Sequence, residues 1–219
     1  MIIQISKKWL ILSGIMVLGI IFYACVKDGK IESQYYTFNK KGELIRPSNY
    51  RTWIFAGTGC TPKSHDSAAI FPDFQNIYID PESYTFWKEN GYYRNGTIFV
   101  KELIRKGDTI APIGRGFFQG EAYSLSATIK DSVRFPDAPG GWQYFKFTDY
   151  KSGVLTASSP MLGGKCISCH SNAQAGYGPF TEFYLPLRDA KGYGKDNPEN
   201  SDKRKGLMPE MPMHMQEKE

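Results

Sequence analysis

Metal-ligating and thiol side chains are few in this chain, with four cysteines and three histidines among 219 residues. A structural zinc site takes four ligands, usually from two closely spaced pairs. A second such pair is missing, and Cys60 and His65 match that spacing poorly. A thioredoxin-like dithiol should open a helix after a strand in a βαβ unit, and nothing around its cysteines alternates that way. The 27 Lys and Arg are dispersed among 22 Asp and Glu, for a net charge of +5. No basic stripe with interleaved aromatics results, so nucleic acid is not indicated as a partner. Internal repeats are absent, and only one long charge-free apolar run occurs, over residues 9–25.

What is there is concentrated. Two of the cysteines and one histidine fall together as Cys166-Ile167-Ser168-Cys169-His170. Two cysteines separated by two residues, with histidine next, is the attachment signature of a c-type haem. Each thiol can form a thioether to the porphyrin, and the adjacent histidine can ligate the iron. The other readings of the pair are a zinc site completed by Cys60 and His65, or a redox dithiol or disulfide. Aromatics make up 15% of the chain, which suits a domain that encloses a large planar cofactor.

Lys7 and Lys8 precede the apolar run, which gives the order of an export signal. The run of about 17 residues could also just span a bilayer as an anchor. It ends at Ala24-Cys25, ahead of Lys27 and Asp28. A small residue before a cysteine resembles a bacterial lipoprotein cleavage site, so a lipidated Cys25 is expected, with an uncleaved N-terminal helix as the alternative. Either way the body of the protein is expected outside the cytoplasmic membrane, in the periplasm and tethered to it.

The expected division is signal or anchor over 1–25, linker over 26–37, one haem domain over 38–190 and a disordered tail over 191–219. Met208, Met211, Met213, His214 and Met215 in the tail could bind copper(I), although an unstructured tail is the simpler reading. Cys60 is left as an odd, free thiol.

Within the domain, strands are expected over residues 51–57, 76–80, 97–106, 117–130 and 142–147. Asp80-Pro81-Glu82-Ser83 reads as a helix start, with a capping acid, proline at the first helical position and an acid in the first turn. That helix stops at Asn90-Gly91. The fold class is therefore α+β and mainly antiparallel β: a single-sheet domain with a few helices and a C-terminal haem-attachment segment packed across the sheet.

In Thr97-Ile98-Phe99-Val100-Lys101-Glu102-Leu103-Ile104, alternate side chains face opposite sides. Lys101 shares a face with Phe99 and Leu103, and Glu102 shares the other with Val100 and Ile104. A charge falls on an apolar face whichever side is inward. One reading is an edge strand protected by an inward lysine. The other is a lysine held in the core for chemistry, where desolvation favours the neutral, nucleophilic amine.

Four segments resemble the cytochrome P-460 family: Tyr50-Arg51-Thr52-Trp53 with Gly57-Thr58; Tyr78-Ile79-Asp80-Pro81-Glu82-Ser83-Tyr84; Gly96-Thr97-Ile98-Phe99-Val100-Lys101-Glu102-Leu103; and Lys130-Asp131-Ser132-Val133-Arg134-Phe135 with Pro139-Gly140-Gly141-Trp142. The haem motif follows, and then Phe183-Tyr184-Leu185-Pro186-Leu187. The resemblance implies a mostly antiparallel β domain, a homodimer, and one five-coordinate haem c bound through Cys166 and Cys169 with His170 on the iron. In members that oxidise hydroxylamine a lysine is cross-linked to the porphyrin, and Lys101 is the matching residue. Two departures stand out: Ser126 occupies the place of a distal glutamate, and Gln75 replaces an arginine. Related cytochromes c′-beta share the fold, have apolar distal pockets and bind nitric oxide.

The implied activity is redox chemistry on a small nitrogen-containing ligand, hydroxylamine or nitric oxide. Lys101, Ser126 and Gln75 are the candidate catalytic residues, and a partner electron-transfer cytochrome takes the electrons. The alternatives are a non-catalytic binder of nitric oxide or carbon monoxide, and a simple electron carrier with His65 or Met161 as sixth ligand. One face of residues 117–130 is expected to present Gly120, Ala122, Ser124 and Ser126, leaving room beside the iron.

Overall fold

The computed structural model describes residues 33–149, 153–161, 164–173 and 178–188. The strands among them are β1 to β11 in chain order. β1 (Leu44–Ile45) pairs with β11 (Ala157–Ser158) beside the main sheet. That sheet has five strands, all neighbours antiparallel, in the order β2 (Ile54–Cys60), β3 (Phe74–Ile79), β4 (Ile98–Lys106), β7 (Gln119–Lys130) and β8 (Trp142–Lys146). β5 (Ile110–Ala111) and β6 (Gly114–Arg115) form a hairpin between β4 and β7, and β9 (Thr148–Asp149) pairs with β10 (Gly153–Val154). The α-helices among the described residues are α1 (Pro81–Asn90), α2 (Gly164–His170) and α3 (Leu185–Arg188), with short 3-10 turns at Tyr50–Thr52, Pro139–Gly141 and Thr181–Phe183. The expected α+β fold, mainly antiparallel, is the one observed.

β4 is the middle strand, so the edge-strand reading of Lys101 does not hold. Both of its faces are covered. On one, Ile98 and Val100 pack with Leu44, Tyr78, Leu125, Ile129, Phe145 and Phe147. Glu102 lies on this face and is 2% exposed. It accepts a hydrogen bond from the Tyr50 hydroxyl at 2.7 Å and pairs with Arg51. A buried carboxylate is tolerable because it is both paired and hydrogen-bonded. On the other face, Ile77, Ile79, Phe99 and Trp142 pack with Ala56, Trp87, Tyr93 and Leu187.

Helix α1 forms where the sequence predicts it. The Asp80 carboxylate accepts from Ser83 N at 2.8 Å and from Ile98 N at 3.0 Å, so one buried side chain caps the helix and holds the start of β4. Gly91 ends the helix with φ 75°, the left-handed conformation that favours glycine. The Trp87 indole N–H donates to Leu187 O at 2.9 Å and fastens the C-terminal segment across this face.

Two local expectations are corrected. Residues 50–52 form a single 3-10 turn rather than the start of a strand, because Thr52 turns back on Asn49 O through both its backbone N–H and its hydroxyl. The expected row of small residues on β7 is broken as well. The pairing with β4 shifts register between Leu103 and Ile104. Ser124 and Ser126 therefore lie opposite Leu103 and Lys101, whereas Ala122 lies opposite Ile104 on the Glu102 face.

Candidate functional site

Residues directly opposite across antiparallel strands share a face. Lys101 is opposite Ile77 on β3 and Ser126 on β7, and Gln75 is opposite Leu103. Lys101, Ser126 and Gln75 thus stand on one face of the sheet, as their candidacy requires. Phe71, in the loop before β3, lies over this group. The Lys101 Nζ is 3.6 Å from the centre of the Phe71 ring, and Gln75 Nε2 donates to Phe71 O at 3.4 Å. Burial pushes the Lys101 amine down to about 8, while the nearby thiols of Cys166 and Cys169 act in the opposite sense.

Those thiols belong to α2. Cys166 and Cys169 are three apart, on one side of a helical turn, and both are free. Tyr144 on β8 brings the motif to the Lys101 face, since it is opposite Thr128, which is opposite Phe99. The His170 ring lies between Tyr144 and Phe180, with centroids 4.9 and 4.8 Å away. Its Nδ1 donates to Gly178 O at 2.7 Å. Burial is the main cause that lowers the His170 pKa and favours the neutral ring, while this hydrogen bond acts in the opposite sense. With Nδ1 engaged, Nε2 is the nitrogen left to meet a metal. Two free thiols one turn apart, a histidine with an oriented free nitrogen, and a facing amine on an aromatic-rich sheet fit a haem.

The other candidates are dispersed. Met161 Sδ lies 3.9 Å from Cys166 Sγ, beside the attachment point. His65 is in an exposed loop, and Cys60 is a half-buried thiol at the end of β2, its pKa raised by burial. Among the described residues no group of three His, Cys, Asp or Glu could hold a metal ion, which leaves the zinc reading without support. Residues 1–32, with Cys25, and 189–219, with Met208, Met211, Met213, His214 and Met215, lie outside the described residues. Sequence reasoning missed Phe71, Tyr144, Gly178 and Phe180. Only Tyr144 carried a signal, as an aromatic two residues after the Trp142 of the fourth segment.

Fold and site together define a haem-protein scaffold, an antiparallel sheet with the Cys166–His170 helix beside its Lys101 face. The sequence model of the cytochrome P460 family matches residues 47–180, more than half of the chain. The chain belongs to the cytochrome P460 family, and its cofactor is a haem. No curated protein matches it.

Proposed function

We propose that this is an exported, membrane-tethered c-type cytochrome that performs redox chemistry on a small nitrogen compound, hydroxylamine or nitric oxide. The observation that carries this reading is the meeting of the α2 motif with Lys101, Ser126 and Gln75 on one sheet face. Cys166 and Cys169 would hold one haem by thioether bonds, with His170 Nε2 on the iron. The haem supplies an iron centre that accepts electrons singly and passes them to a partner cytochrome. Gly178 O holds the imidazole proton at Nδ1, and Phe71 keeps bulk water from the Lys101 amine. Gln75 and Ser126 orient the ligand. Lys101 is the amine this face offers for a bond to the porphyrin. A homodimer accompanies this reading through the family resemblance.

The tether rests on residues 1–25. Among the described residues no helix is long and apolar enough to cross a membrane. A plain electron carrier needs a sixth ligand, and the positions of Met161 beside Cys166 and of His65 in an exposed loop favour an open iron instead. Ser126 in place of an acid favours a second reading, non-catalytic binding of nitric oxide. The ferrous optical spectrum separates the readings: red-shifted for a cross-linked haem, ordinary high-spin for an unmodified open site, sharp low-spin for a carrier. His170→Ala should keep covalent haem and change its ligation, whereas Met161→Ala should leave the ferric spin state alone. A comparable change in the Met161 variant would exclude the open site.

A further inference from the structure

We propose that Gly178 and Trp142 are positioning residues for the His170 imidazole, an inference that rests on reading His170 as the iron ligand. Trp142 is 1% exposed, and its indole is packed edge-on to Tyr93 at 5.7 Å and against Phe99 at 6.3 Å. It is a wall that does not yield. Gly178 stands directly against it. A Cβ at residue 178 would come 2.8 Å from Trp142 Cε2 and 2.9 Å from Cζ2, closer than real Cβ atoms approach carbon. The φ of Gly178 lies outside the left-handed region, so glycine is needed here for the contact and not for backbone freedom.

The same residue's carbonyl oxygen is 2.7 Å from His170 Nδ1. Tyr144 and Phe180 flank the ring, which fixes its plane and directs Nδ1 to that carbonyl. The Trp142 indole N–H has no hydrogen-bond partner among the described residues, so the ring serves by its volume and not by its donor. Trp142 therefore sets where Gly178 lies, Gly178 sets the Nδ1–H···O bond, and that bond raises the basicity of Nε2. Such an outer partner tunes a ligating histidine, and through it the iron.

Resonance Raman spectra of the ferrous holoprotein test this through the iron–histidine stretching band, with the reduction potential measured alongside. Gly178→Ala should shift the band to lower frequency and raise the potential, because the carbonyl is pushed from Nδ1. Adding Trp142→Leu makes room for the methyl group and should bring both back toward wild type. A Gly178→Ala band at the wild-type frequency, or a double variant shifted as far as the single one, overturns the proposal.

Histidine 15N NMR of the full haem-free chain reads the Nδ1 proton without iron: slowly exchanging in wild type, fast in Gly178→Ala. If wild type lacks an iron–histidine band, the ligation reading fails and the NMR result alone decides the positioning. If Gly178→Ala does not fold, Trp142→Leu decides, since opening the wall must speed Nδ1 proton exchange, and unchanged exchange overturns the claim.

Discussion

Lys101 is half-buried on the central strand with its amine against Phe71, and its pKa is depressed to about 8 from an ordinary 10.5. Between those values the unfolded chain binds more protons than the folded one, so stability should rise as pH climbs through this window. The penalty is complete below about 8. In the haem-free chain, Lys101→Met should therefore stabilise at pH 7, and its advantage should shrink toward pH 10.5. Thermal midpoints of both proteins across that range check this, and a constant difference would contradict it. In oxidatively matured holoprotein, protease digestion and mass spectrometry should recover a haem peptide joining the motif of α2 to the Lys101 segment. An unmodified Lys101 peptide in full yield would move the protein to the gas-binding reading. Ser126→Glu puts a carboxylate directly opposite that amine. A positioned general base contributes typically about 10²–10⁴-fold, so hydroxylamine turnover should rise by a factor of that order in a correctly loaded variant. Unchanged turnover would remove Ser126 from the distal assignments. Lys101 was legible from alternation alone, because a charge between Phe99 and Leu103 conflicts with the pattern around it. Phe71 and Gly178 were not, because each meets its partner through the fold, the first from β4 and the second from across the haem motif.

At the scale of elements, β4 shows what two-residue periodicity can and cannot reveal. It revealed a strand with a charge on each face, and Glu102 proves to be the structural one. Its loss would leave the Tyr50 hydroxyl and the Arg51 guanidinium without their acceptor. Glu102→Ala should lower unfolding stability by about 2–4 kcal/mol while leaving the haem spectrum intact. Chemical denaturation followed beside the spectrum checks both halves. Helix α1 was legible end to end because its start and stop are local chemistry, Asp80 with Pro81 at one end and Gly91 at the other. The register shift beside Ile104 was not legible. An extra residue in a strand leaves no compositional mark, yet it moves Ala122 to the other face of the sheet. The 3-10 turn at Tyr50–Thr52 was missed for a related reason, since Arg51, Thr52 and Trp53 carry strand-like side chains while Asn49 supplies the turn.

For the molecule as a whole, the segment after the haem motif completes the fold. Leu187 is fully buried and Trp87 depends on its carbonyl. Tyr93 and Thr181 share a 3.0 Å hydrogen bond across the same face. Truncation after Phe183 should lower stability by about 2–5 kcal/mol, through the lost leucine burial and the stranded indole donor. The resemblance, which spanned the sheet and the motif, covered most of what the structure adds; the exceptions are contacts between residues far apart in the chain. Trp87 and Leu187 are 100 residues apart, and Tyr50 and Glu102 are 52 apart. A protein closed by such distant contacts folds slowly, on the order of milliseconds to seconds. That delay gives the fold a temporal order, because the two thiols of α2 are made before the last turn that fastens the face beside them. With the haem held by thioether bonds as proposed, its capture would come first, and the C-terminal turn would dock onto a domain that already holds its cofactor.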